Sequence, residues 1–226
     1  MQLVKPYAKM LSPFDLKQPF LPKDGEFMLE RVEYFARVSH ASEESITENS
    51  WDRFIRSVVL QHGDFSVIEH ECISVEAVVD RGITHEWVRH RIGSYTQEST
   101  RFVNYQKKGG EARVIEPPFE HGEESRRDWM EAMEFAERKY MALLARGEKP
   151  QLARSVFPTG LASKIICTFN LRTWRHFFIM RTSAEAHPQM KEVTIPLLKQ
   201  FKECIPILYE DIEPNQRQAV VMTKLR

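Results

Sequence analysis

Cysteine is scarce in this chain: among 226 residues there are only Cys72, Cys167 and Cys204. An odd number with no close pair does not make a disulfide framework or a zinc knuckle. Each of the three lies in an apolar run, where burial raises the thiol pKa and leaves the sulfur inert, so none is expected to act as a nucleophile. An excess of either charge is missing too, since 32 Lys and Arg balance 32 Asp and Glu. That balance argues against a dedicated nucleic-acid binder, and any phosphate affinity must come from a local cluster of arginines. No apolar run is long enough to cross a bilayer, and the first ten residues lack the apolar core of a signal peptide. A soluble, cytoplasmic protein is the expectation. Internal repeats and long linkers are also absent, so the chain reads as one domain spanning residues 1–226.

What is present is an ordinary globular composition, 42% hydrophobic and 28% charged, patterned at two periods. Residues 1–25, rich in Pro and Lys, read as an extended N-terminal arm. Apolar residues at helical spacing predict helices over 26–39, 49–61, 123–146 and 189–204, with Gly147 placed to end the third. Helices are also expected from Gly82 to Ile92 and from Asn170 through Met180. The β-branched segments 72–80 and 163–169 predict strands, and Gly109-Gly110 and Pro117-Pro118 predict turns. Trp51, Trp129 and Phe135 are expected in the core. The class is α+β: a single domain with a mixed or antiparallel central sheet flanked by long helices.

The most unusual segment runs from Arg89 to Arg101. Arg89, His90, Arg91 and Arg101 fall within thirteen residues. Arginine offers a planar fork of donors suited to phosphates and to the carbonyl edges of flat heterocycles. If residues 99–101 are extended, Ser99 and Arg101 point to one face and grip one ligand together. The competing reading is a solvated basic face held by surface ion pairs.

Arg89-His90-Arg91, then seven residues, then Ser99 resembles the defining motif of the flavin-dependent thymidylate synthases, and Arg101 stands where that family also has arginine. Gly63-Asp64-Phe65-Ser66-Val67-Ile68-Glu69-His70 resembles the family's flavin-contacting segment. Ala153-Arg154-Ser155-Val156-Phe157-Pro158 is similar to its Ala-Arg-x-x-x-Pro, and Asn170-Leu171-Arg172 to its Asn-x-Arg. Arg181 falls at a further family arginine, and Ala36-Arg37-Val38-Ser39 is a weaker echo. The matches run in order from about residue 36 to 190.

The resemblance implies a homotetramer whose active sites are built from more than one subunit. It implies methylation of deoxyuridine monophosphate (dUMP), with FAD as cofactor and 5,10-methylenetetrahydrofolate and NADPH as co-substrates. On this basis Ser66, Glu69, Arg89, His90, Arg91, Ile92, Thr96, Asn170, Arg172 and His176 contact FAD. Glu86, Gln97, Glu98, Ser99, Thr100, Arg101, Arg154 and Arg181 hold the nucleotide. Arg181 faces the pyrimidine, and Arg89, Arg181 and Ser99 are the catalytic set. Classical, unrelated thymidylate synthases attack the ring with a cysteine thiolate. The inert cysteines here fit a flavin hydride instead.

Four positions depart from the family pattern. Asp64 replaces a usual His, with His62 a possible substitute; Gln97 replaces Glu, Phe102 replaces Tyr, and Glu185 stands where some members have His. The alternatives are a catalytically weakened member and a nucleotide- or RNA-binding protein using the Arg89-His90-Arg91 patch with nearby aromatics. Nucleic acid is otherwise not expected as a partner. A zinc site is not expected either: His85 and His90 are five apart, roughly 140° round a helix, where a shared ligand face needs four.

Overall fold

The computed structural model describes residues 1–105 and 111–217; the expected Gly109-Gly110 turn lies outside them. Its elements confirm the α+β class. In chain order they are β1 (Gln2–Leu3), β2 (Tyr7–Met10), α1 (Pro22–Val38), α2 (Ser50–Ile55), β3 (Cys72–Asp80), α3 (Arg81–Trp87) and β4 (Gly93–Gln97). There follow β5 (Arg113–Val114), α4 (Gly122–Ala145), α5 (Pro150–Ala153), β6 (Ala162–Asn170), α6 (Leu171–Arg181), α7 (Pro188–Cys204) and α8 (Pro206–Tyr209). One sheet has the order β2-β3-β6-β4. A second pairs β1 with β5 in parallel, Gln2 opposite Arg113 and Leu3 opposite Val114.

Contacts group the chain into two compact units. The first comprises Met1–Tyr7, Ala77–Arg89 and Tyr95–Ile166. Its core gathers Tyr105, Ala112, Tyr140, Ala153 and Leu161, with Phe157 and Leu144 packed against them. Long α4 supplies Tyr140, and it stops where the sequence predicts: Gly147 adopts φ 91° and its N–H reaches the Leu144 carbonyl at 2.9 Å. A left-handed residue just past a helix end satisfies the last carbonyls, and glycine does this without a Cβ penalty. Phe135, expected in the core, lies on the exposed side of α4 at 53% exposure. There its ring is covered by the Arg138 and Lys139 side chains.

The second unit comprises Ala8–Glu76, His90–Ser94 and the chain from Cys167 on. Its core is aromatic: Trp174 and Phe178 of α6 meet Phe201 of α7 at 5.1 and 4.9 Å, Phe178 and Phe201 meet Tyr209 of α8 at 5.8 and 5.0 Å, and Phe177 stands edge-on to Phe178 at 5.6 Å. Offset and edge-on rings add to the area term. The polar tips are satisfied: Trp174 Nε1 donates to the Ile73 carbonyl at 3.0 Å and Tyr209 to the Leu171 carbonyl at 3.0 Å. Arg175, also buried and lying over the Phe65 ring, forks onto both Asp211 oxygens and reaches the Leu208 carbonyl.

Four sequence expectations need correction here. The N-terminal arm is partly strand (β1 and β2), and α1 begins at Pro22 instead of Glu26. Proline at the helix start costs no hydrogen bond, and Asp24 Oδ2 accepts the Leu21 N–H at 2.8 Å, so the first turn closes earlier than the apolar pattern does. The 49–61 helix is α-helical only to Ile55 and continues as a π-helical turn, Arg56–Gln61. Cys72, expected to be buried, opens β3 on its exposed side, while Cys167 and Cys204 are buried.

Candidate active site

The expected site residues fall into two groups, one in each unit. In the first unit, α3 is anchored by Asp80, whose Oδ1 accepts the Ile83 N–H at 2.7 Å, a side-chain cap of the usual kind. The helix ends at Trp87, five residues short of the expected end at Ile92, because the following residues are claimed by tertiary contacts described below. It presents half-buried Glu86, and Arg89 follows it exposed.

Strand β4 carries exposed Thr96 and then Gln97, whose Nε2 donates to Thr84 Oγ1 at 2.9 Å and Ser163 Oγ at 3.1 Å. Thr84 spends its own proton on the Arg81 carbonyl at 2.9 Å. Two donors are therefore wanted at position 97, and a glutamine amide supplies both while a carboxylate supplies none. Glutamine at this position is thus matched to its neighbours. Glu98 accepts from Arg113 at 3.2 Å.

Residues 99–101 are not extended. The Ser99 carbonyl accepts the N–H groups of Phe102 and Val103, and Ser99 Oγ accepts the Arg101 N–H at 3.3 Å. Serine closing a turn on its own backbone overrides the strand pattern. The turn sets Arg101 beside α5 in a different way: its Nε reaches Gln151 Oε1 at 3.4 Å, and Arg154 Nη1 donates to buried Thr100 at 3.0 Å. Ser99, Thr100, Arg101 and Arg154 are thus brought together, with two exposed guanidiniums at one place. An anion of phosphate type fits that donor set.

In the second unit the centre is His90, 7% exposed. Its Nε2 accepts from Arg181 Nε at 2.8 Å, and its ring stands edge-on to Phe177 with centroids 4.9 Å apart. Burial first, and then the Arg181 and His176 charges, push its pKa down to about 3, so the imidazole is neutral and serves as acceptor. His176, a ring neighbour at 5.8 Å, is also lowered, by desolvation and then by Arg181.

Beyond His90 the chain turns sharply. Ile92 takes φ 62° and is 81% exposed, an uncommon conformation for a β-branched residue that marks stored strain. Exposed Arg91 precedes it. On α6, Arg172 and His176 are both exposed, four apart on one face as expected. Arg172 is paired with Glu69 at 2.6 Å, and Ser66, on the same short helical turn as Glu69, is exposed. Asn170 proves to be a helix cap, its Oδ1 accepting the Thr173 N–H at 2.7 Å. Arg37 of the weaker motif is structural: it bonds Glu33 at 2.7 Å and lies over the Phe54 ring. Asp64 and His62 are both exposed.

Among the described residues no cluster of three or more His, Cys, Asp or Glu is placed to hold a metal ion. No helix there is long and apolar enough to cross a membrane. Sequence reasoning missed Thr84, Ser163, Gln151, Arg113 and Thr194, the last of which holds the Arg181 carbonyl at 2.8 Å. Their partners lie 13 to 66 positions away, beyond any helix or strand period, so no local pattern signals them.

A model of the family described as thymidylate synthase complementing protein matches residues 27–207. The chain belongs to that family. Relatives in the flavin-dependent thymidylate synthase family include the enzyme named so from Mycobacterium bovis BCG, 33% identical over 172 residues, covering 69% of this chain and 67% of that one. The Mycobacterium avium protein of the same name is 31% identical over the same shares. In fold, this family member resembles the UMP/dUMP methylase PolB from Streptomyces cacaoi, solved with 5-Br dUMP. The TM-score is 0.72 at 21% identity, over 93% of this chain and 96% of that one.

Proposed function

We propose that this chain is a thymidylate synthase acting over its whole length as one homotetrameric, cytoplasmic unit. It would convert dUMP to dTMP, with 5,10-methylenetetrahydrofolate as one-carbon donor and FADH2, re-reduced by NADPH, as hydride source. The observation that carries this reading is the two-part donor set. One unit sets Arg101 on Gln151 and Arg154 on Thr100, a donor set that suits an anion, and the other holds Arg181 against a neutral buried histidine. The curated relatives' name and the nucleotide bound by the Streptomyces neighbour support it.

The donor chemistry fits FAD. Arg91, Arg172 and His176 are exposed cationic or hydrogen-bonding groups of the second unit, the chemistry a pyrophosphate needs. Although Arg172 already meets Glu69, guanidinium has five donors and retains others for a phosphate. Ser66, Glu69, Arg89, Arg91, Ile92, Thr96, Arg172 and His176 would hold the cofactor, with Asn170 acting through its cap on α6. When bound, the reduced flavin supplies the hydride that completes the methyl group.

The chain's own residues do the rest. Arg101 and Arg154 bind the nucleotide phosphate, with the Ser99 and Thr100 hydroxyls beside them. Glu86, Gln97 and Glu98 border that site, Gln97 by shaping the strand beneath it. Arg181 places a fixed positive charge where negative charge develops on the pyrimidine, which activates the ring without a covalent enzyme nucleophile. Arg89 contacts both ligands.

The test is a visible absorption spectrum of purified protein with FAD and then with dUMP. A bound-flavin spectrum that shifts on adding nucleotide supports the reading. No flavin binding at excess FAD overturns it and favours the binding-protein alternative.

A further inference from the structure

We propose that His90 is a positioning residue for Arg181: its neutral Nε2 accepts the guanidinium Nε–H and thereby sets the plane in which the arginine meets its ligand. The inference rests on the reading of Arg181 as the arginine that faces the pyrimidine, and it assigns to His90 a role other than cofactor contact.

Four observations converge on it, all within the second unit. The Arg181 Nε to His90 Nε2 distance is 2.8 Å, and since Nε of arginine can only donate, Nε2 must carry the lone pair and the ring proton must sit on Nδ1. The imidazole is itself held: it is 7% exposed and packed edge-on to Phe177, a side chain with no exposure at all. Arg181 is also approached from its backbone end, because the single hydroxyl proton of fully buried Thr194 lies between the Arg181 carbonyl at 2.8 Å and the Met190 carbonyl at 2.9 Å. Finally, the backbone cannot slide away, because Gly93 lies against the Phe169 ring so closely that even a Cβ finds no room.

An unrestrained arginine side chain samples many rotamers, and freezing one costs conformational entropy. Here folding meets that cost before ligand arrives, which is preorganisation in the sense that matters for catalysis. An imidazole suits this task better than a carboxylate. It orients the guanidinium without placing a negative charge of its own beside it.

The experiment compares His90→Phe, which keeps a ring against Phe177 but has no acceptor, with His90→Gln, whose amide oxygen can accept. Each is made in the wild-type and Arg181→Ala backgrounds. Turnover, KM for dUMP and dUMP affinity are measured on the FAD-loaded protein. In parallel, NMR of 15N-arginine-labelled protein without ligands follows the Arg181 Nε–H. The expectation is a protected Nε–H signal in wild type, lost in His90→Phe and regained in His90→Gln. With it, kcat falls about 10²-fold in His90→Phe, the scale of an ångström-level misplacement, while KM changes far less and His90→Gln recovers much of the loss. In the Arg181→Ala background His90→Phe should add little further to the loss of turnover, since two residues acting as a unit are not additive. An unprotected Nε–H in wild type, or an undiminished His90→Phe effect without Arg181, overturns the inference. A protected Nε–H in a protein that never binds dUMP sinks the functional reading instead.

Discussion

A Cβ built on Gly93 would lie 2.3 Å from Cδ1 of Phe169 and 3.2 Å from the Thr168 carbonyl oxygen. Phe169 is 1% exposed and pinned by Trp174 at 4.6 Å, so the ring cannot yield. Gly93→Ala should therefore cost about 1–3 kcal/mol, the usual penalty of overpacking. Chemical denaturation should show it, and Phe169→Leu in the same chain should recover part of the loss. A fully stable single variant would mean that the turn after Ile92 is looser than this packing requires.

Gln97→Glu replaces two donors with a carboxylate facing Thr84 and Ser163. The change is expected to destabilise this chain by about 1–3 kcal/mol, the cost of two unmade, largely buried hydrogen bonds. A melting temperature at or above that of wild type would show that the two hydroxyls can turn round and donate.

Acid should weaken the second unit through His90. Its folded pKa, about 3, lies below the ordinary imidazole value of 6.5, so the unfolded chain binds a proton that the folded one refuses. Stability is full above pH 6.5 and is lost as pH falls through that value toward 3. At pH 5 this amounts to about 2 kcal/mol, from 1.36 kcal/mol per unit. Unfolding curves at pH 7 and pH 5 measure it. The drop should shrink in His90→Gln, and an equal drop in both proteins would assign it to other groups.

Arg154→Ala should raise the dissociation constant for dUMP about 10- to 100-fold, since hydrogen bonds to charged groups contribute about 1.5–3 kcal/mol. Thermal stability should fall only modestly, because the exposed side chain gives up one hydrogen bond, to Thr100. Titration calorimetry with dUMP and with deoxyuridine separates the cases. If both ligands weaken equally, Arg154 does not meet the phosphate.

Arg181→Ala should reduce turnover about 10²–10³-fold, as removal of one preorganised charge does at other sites. Single-turnover measurement with dUMP and the folate co-substrate would show the loss in the chemical step. Unchanged turnover would remove Arg181 from the catalytic set.

What the sequence by itself determined is the family, the α+β class and most helices and strands. Those depend on local periods, on caps such as Gly147, and on motifs whose order along the chain survives without any contact being known. The tertiary structure alone decided how the motif residues are used. His90 and Arg181 stand 91 positions apart and Gln97 and Ser163 stand 66 apart, and no spacing rule links such pairs. The same gap explains the errors. The helix expected to reach Ile92 stops at Trp87 because burying His90 against Phe177 outweighs helical propensity. Residues 99–101 turn because Ser99 closes on its own backbone. Local pattern sets what a segment prefers, and long-range packing and hydrogen bonding decide whether it gets it.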